Sequence, residues 1–321
     1  MADELNVMKD ELKDKKRYME GYRLVGNHSA VKVCEYCRKA IKGKDVCYKN
    51  TFYGIESWRC VQMSPTFFCD HRCVFCWRNT DYTWPKWQGP VDDPKFIVDE
   101  CIKAHVEFLQ GFKGNSNVVK ERLKEMEKPL HFAISLTGEP TMYPKLAEMI
   151  DYIKEKGMTA FLVTNGTIPN MIEKLIAHQP TQLYISVYGP NKEVYQKTAN
   201  PIKKDSWNEL QKSLSMMHKF KRNVVRLTLV KGYNFVDPEG YAKLIEKYKP
   251  MFVECKGYVH VGHSQERLEV ENMPYHHEIM EFAKMVEENS SYKVIDSKKE
   301  SKVALLARKD FEGRKMDFEG V

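Results

Sequence analysis

The chain has 321 residues, 42% of them hydrophobic and 30% charged, a balance that excludes a disordered or collagen-like protein and supplies the core of one large domain. Its formal charge of +7 at pH 7 favours a polyanionic partner, with six Lys/Arg against two acids between Val31 and Lys49 and seven against two between Lys203 and Arg226. No apolar run is long enough for a membrane span or placed as a signal peptide, so the expected compartment is the cytoplasm, where nine cysteines read as metal-binding or catalytic groups rather than disulfides.

In chain order, Leu5 to Tyr22 reads as a charged amphipathic helix, and Asn27 to Cys60 as a loop-rich segment bearing cysteines. From Val61 onward, short β-rich runs alternate with helical patterns, the signature of βαβ units on a parallel sheet. The strands are expected at 62–68, 131–137, 159–164, 182–187, 223–230 and 252–260, and the helices at 94–112, 143–156, 169–178, 206–220, 238–248 and 274–288. Trp207, Leu210, Leu214 and Met217 recur at helical spacing behind Ser206. Six strand–helix units are two short of a closed eight-fold barrel. The expected fold is therefore an α/β partial (β/α)6 TIM-like barrel over residues 61–290. An amino-terminal cysteine-bearing extension (1–60) precedes it, and a tail (291–321), in which Val303 to Ala307 reads as an extra strand, follows.

Cys69, Cys73 and Cys76 form C-x3-C-x2-C directly after the first expected strand. Three thiolates on one short loop can hold three irons of a 4Fe–4S cube and leave the fourth free for a small molecule; a zinc site or three buried thiols are the plainer alternatives. With Phe75 just before the third cysteine, the motif resembles that of the radical S-adenosylmethionine (SAM) superfamily. Thr137-Gly138-Glu139-Pro140 at the end of the second strand is similar to that superfamily's Gly-Glu-Pro motif, which implies that Gly138 and Glu139 receive the SAM amino group. Asn165 and Ser186, closing the third and fourth strands, would hold the ribose, although Asn165-Gly166 also suits an ordinary turn.

Cys34, Cys47 and Cys60 are spaced C-x12-C-x12-C. This spacing resembles the archaeal-type tRNA 4-demethylwyosine synthases, which carry a second 4Fe–4S cluster on three such cysteines. The resemblance runs through Tyr53-Gly54-Ile55, Trp58-Arg59-Cys60, Cys76-Trp77-Arg78-Asn79 and Gly111-Phe112-Lys113-Gly114-Asn115. Cys34-x2-Cys37 is also half of a zinc knuckle, which keeps a zinc-bearing RNA-binding module open as an alternative, beside another two-cluster radical SAM enzyme such as a glycyl-radical activase. Cys101 and Cys255 fall inside a helix and a strand, as structural thiols do.

The resemblance implies a carbon–carbon lyase with two 4Fe–4S clusters and SAM. Its substrate would be phenylalanine-type tRNA carrying N1-methylguanosine next to the anticodon, and pyruvate would supply a two-carbon unit. A 5′-deoxyadenosyl radical would take hydrogen from the N1-methyl group, and the carbon radical would add to pyruvate and close the tricyclic ring. Lys49, two residues after Cys47, is the expected Schiff-base lysine. Trp77 and Arg78, with Tyr82, Trp84 and Trp87 nearby, and Lys113 in a Gly-rich turn are expected at a basic, aromatic RNA-binding mouth. His105, His276 and His277 are expected to pack or face solvent. The eukaryotic relatives have an additional flavodoxin-like domain with no counterpart ahead of these cysteines, so the expectation is a monomer served by a separate electron donor such as ferredoxin or flavodoxin.

Overall fold

The computed structural model describes residues 21–80 and 83–318. The charged helix expected from Leu5 lies outside them up to residue 20, and its expected last residue, Tyr22, instead opens a strand. β1 (Tyr22–Val25) and β2 (Ser29–Lys32) make a hairpin that joins β3 (Cys60–Ser64) antiparallel. Between β2 and β3 lie two short helices, α1 (Glu35–Ile41) and α2 (Tyr48–Tyr53), so the expected loop-rich segment is largely ordered.

Five further strands continue in parallel from β3: β4 (His131–Ile134), β5 (Thr159–Thr164), β6 (Gln182–Val187), β7 (Asn223–Leu229) and β8 (Phe252–Gly257). The connections carry α3 (Pro94–Leu109), α4 (Lys120–Glu125), α5 (Leu146–Glu155), α6 (Pro169–Lys174), α7 (Lys192–Ala199), α8 (Ser206–Ser215) and α9 (Pro238–Tyr248). After α10 (His276–Glu288), β9 (Lys293–Lys298) and β10 (Val303–Ala307) fold back, and β10 joins β8 antiparallel. The sheet order is β1-β2-β3-β4-β5-β6-β7-β8-β10-β9: a (β/α)6 partial barrel with an antiparallel pair at each edge. No helix among the described residues is long and apolar enough to cross a membrane.

Alternation along the strands sorts side chains to two faces. Val61, Met63, Phe132, Leu162, Ile185, Leu227, Val253 and Cys255 pack outward against the helices. Phe161, Tyr184, Val224 and Phe252 point inward, where they meet Tyr48, Phe52 and Tyr53 of α2 and Met316 and Phe318 of the tail. Residues from all three expected segments thus share one interior. Helix starts follow local chemistry: Asp93 accepts the amides of Lys95 and Phe96 ahead of Pro94, and Asn191 accepts that of Val194.

His105 of α3 packs wholly inside, and neither ring nitrogen finds a hydrogen bond among the described residues. Burial pushes its pKa down to about 4, below the value of about 6.5 it recovers on unfolding. The unfolded chain therefore binds more protons between those values. Its contribution to stability is complete above pH 6.5 and drains away as the pH falls toward 4. His105→Leu should flatten the dependence of unfolding free energy on pH across that window by about one proton, as read by urea denaturation at several pH values.

Candidate active site

The cluster loop sits at the carboxyl ends of the parallel strands. Cys69 and Cys73 are buried and Cys76 is half-buried. Burial pushes the Cys73 thiol well up, and the charges of Cys76 and Cys69 push it further; this mutual repulsion among three convergent sulfurs is what a metal cluster relieves. The donor set, three thiols on one loop, fits a 4Fe–4S cube with one free iron.

Residues between the cysteines fasten the loop. Asp70, fully buried, accepts hydrogen bonds from Thr167 Oγ1 at 2.7 Å and Asn165 Nδ2 at 2.8 Å, and pairs with His71 Nδ1 at 2.8 Å. Burial alone would lower the His71 pKa, but the Asp70 carboxylate raises it to about 9; its other nitrogen lies 2.7 Å from Tyr195 Oη on α7. The ligand atoms of Cys69, Asp70 and His71 lie within 4.8 Å of one another, yet Asp70 and His71 are already engaged and serve as braces. Nothing in the cysteine spacing announced this role.

The expected SAM residues line the same mouth. Gly138 has φ of +66°, and a Cβ there would stand 2.2 Å from the carbonyl of Thr66, so only glycine lets this turn meet the loop. Glu139 is buried. Its carboxylate accepts from Thr141 Oγ1 (2.5 Å), Thr164 Oγ1 (2.6 Å) and the Asn165 amide (2.7 Å); it therefore ties β5 to the turn rather than standing free. Ser186 is buried at the end of β6.

In the second triad, the charges of Cys34, Cys47 and Cys60 act on one another. Cys34 precedes α1, Cys47 precedes α2 and Cys60 opens β3. Burial and the Cys47 charge push the Cys34 thiol up to about 11, and Cys60 is raised by burial and by both partners, with Lys49 opposing. Cys37 turns away into a cluster with Val33, Ile41, Leu109 and Met126, its thiol 3.9 Å from the Trp58 carbonyl. Cys34 rests against the same cluster, and its Sγ accepts the Cys37 amide at 3.3 Å. Lys49 is buried on α2, with Nζ 4.6 Å from the Tyr184 ring centroid and 5.7 Å from that of Phe161. Its Nζ makes no hydrogen bond or ion pair among the described residues. Burial lowers its pKa, which keeps more of the amine unprotonated.

The RNA-facing residues fare differently. Arg78 is buried, donating to the carbonyls of His71 (2.6 Å) and Asn79 (2.9 Å). Burial raises the Cys76 pKa and the Arg78 guanidinium opposes that rise, so Arg78 braces the loop instead of meeting a phosphate. Lys113 is exposed and paired with Glu127 at 2.5 Å. It follows α3, which returns to the amino ends of the strands, and so stands away from the mouth. Trp77 is half-buried and stacks on Tyr22, while Trp84 and Trp87 pack around Phe68; Tyr82 lies outside the described residues. Gly138→Ala should loosen the mouth through both strain and clash, lowering stability by roughly 2 kcal/mol or more and weakening SAM binding, as measured by thermal unfolding and by equilibrium dialysis of the iron-loaded protein.

The model of the radical SAM superfamily matches residues 63–245, and that of wyosine base formation matches residues 247–308. The chain is 44% identical over 305 residues to the S-adenosyl-L-methionine-dependent tRNA 4-demethylwyosine synthase of Pyrococcus horikoshii, covering 93% of this chain and 89% of that protein. It is 39% identical over 293 residues to the synthase of Methanocaldococcus jannaschii, covering 88% and 91%. A solved structure of TYW1 with a lysine–pyruvate adduct bound superposes with a TM-score of 0.84 at 37% identity, covering 97% of this chain and 98% of that one. The chain belongs to the tRNA 4-demethylwyosine synthase family of the radical SAM superfamily.

Proposed function

We propose that the protein converts N1-methylguanosine next to the anticodon of phenylalanine-type tRNA, with pyruvate, to 4-demethylwyosine, acting as a carbon–carbon lyase. The observation that carries this reading is an unpaired buried lysine amine inside the barrel, beside one thiol triad and below another. When bound at Cys69, Cys73 and Cys76, a 4Fe–4S cluster supplies the electron that cleaves SAM. Gly138, Glu139, Asn165 and Ser186 shape the pocket for SAM, the first by its bare backbone and Glu139 by fixing the strand ends. Lys49 condenses with the keto carbon of pyruvate; its lowered pKa favours the free amine that this step requires. Cys34, Cys47 and Cys60 would hold a second 4Fe–4S cluster, which would supply a Lewis acid beside the pyruvate site.

The open carboxyl face of the barrel admits the flipped base, with Trp77 half-exposed at its rim and the chain's net positive charge drawing the polyanion. A separate reductant of the ferredoxin or flavodoxin kind reaches a cytoplasmic monomer. The test is an anaerobic reaction with methylated tRNA, SAM, pyruvate and dithionite, followed by nucleoside mass spectrometry. Absence of the tricyclic base under conditions that release 5′-deoxyadenosine would refute the assignment.

Two substitutions separate the triads. Cys73→Ala should abolish formation of 5′-deoxyadenosine in a folded protein. Cys47→Ala should lose about four irons per chain and all tricyclic product while still cleaving SAM. Normal product from iron-depleted Cys47→Ala would remove the second cluster from the reaction.

A further inference from the structure

Arg226 stands in the middle of β7 between Val225 and Leu227, both of which face the helices, so its side chain enters the barrel. Ser186 on β6 and Glu254 on β8 occupy the same rung. Glu254 would be the obvious counter-ion. Its two oxygens are instead taken by Tyr53 Oη at 2.8 Å and Tyr48 Oη at 3.2 Å, and no ion pair links it to Arg226. Among the described residues the Arg226 side chain makes no hydrogen bond, and its Nε is fully buried without a partner.

Arg226 is half-buried, and a guanidinium Nε sealed from water in this way is costly unless something accepts its hydrogen bond. Its interior neighbours do not. Lys256, two residues beyond Glu254 on β8, donates to the Ser301 carbonyl at 2.8 Å, and Lys49 rests over Tyr184, two residues before Ser186 on β6. Three cations thus face one carboxylate already engaged. The interior has an unfilled demand for an anion, and the strand register sets Arg226 one layer nearer the mouth than the ring that carries Lys49.

We propose that Arg226 binds the carboxylate of the 2-oxo acid that condenses with Lys49, which makes it the residue selecting an oxo acid over a neutral carbonyl compound. The inference rests on the Schiff-base role given to Lys49 above. A guanidinium offers two parallel N–H donors that match a planar carboxylate. In a 2-oxo acid the keto carbon is bonded directly to that carboxylate, so fixing one end orients the other. The Nζ lone pair forms the C–N bond as the C=O π pair moves to oxygen; that oxygen takes up two protons, one of them shed by nitrogen, and leaves as water, giving the iminium. The carboxylate is unchanged, and Arg226 keeps its partner throughout.

The other carboxylate that enters this barrel is that of SAM, and the experiment separates the two. The iron-loaded full chain is treated with cyanoborohydride and increasing pyruvate or pyruvamide, and the trapped Lys49 adduct is quantified by mass spectrometry; SAM affinity is measured by equilibrium dialysis on the same samples. The wild type should require far more pyruvamide than pyruvate. In Arg226→Gln the half-saturating pyruvate concentration should rise roughly 100-fold, approaching that of pyruvamide, with SAM affinity unchanged; Arg226→Lys should recover part of the preference. Reduced SAM affinity with normal pyruvate trapping would assign Arg226 to SAM and overturn the proposal. An equal loss of pyruvate and pyruvamide trapping would show a structural role and overturn it as well. No adduct on wild-type Lys49 with either compound would instead refute the Schiff-base reading, and this inference with it.

Discussion

Six parallel strands cannot fill the space they enclose. In a closed eight-stranded barrel, layers of inward side chains complete the core; here the gap admits α2 from one end of the chain and residues 314–318 from the other. Tyr48, Phe52 and Tyr53 meet Phe161, Tyr184 and Phe252, and Met316 donates its amide to the Tyr53 carbonyl. The amino-end half of the interior becomes an ordinary apolar core. The carboxyl-end half stays polar beneath the Cys69–Cys76 loop, while Cys47, Cys60 and Lys49 border the apolar core.

Glu254 joins the two halves. Its carboxylate is held by tyrosines of the inserted helix, and its charge acts on Lys49, Lys256 and Arg226 around it. One fixed negative charge keeps several buried cations tolerable without pairing tightly with Lys49 or Arg226. Such an arrangement leaves donors available for a substrate, whereas a direct salt bridge would have used them up.

Legibility in the sequence followed the range of the interaction. Cys69, Cys73 and Cys76 lie on one loop, so their spacing was the signal. The six strands were visible as apolar runs, and β5 and β6 have the expected bounds. β9 escaped notice because it is a short, partly exposed edge strand, Lys-Val-Ile-Asp-Ser-Lys, with little alternation, and α7 because its short span is polar but for a few inward residues. Arg78 read as a basic residue beside aromatics, the pattern of an RNA surface, and only its neighbours in space show that it faces the loop carbonyls. Arg226 lay inside a strand without any motif, and its partnerless state is a property of three strands in register, invisible along one.

The floor laid by residues 314–318 also sets an order of assembly. Arg314 donates to the Phe52 carbonyl at 3.0 Å and Phe318 packs against His131 at the amino end of β4, so the interior cannot be sealed from below until residue 318 has emerged from the ribosome. Cys34, Cys47 and Cys60 all precede that segment in the chain. Residues 314–318 therefore close, from the amino side, an interior whose cysteine-bearing wall is translated well before them.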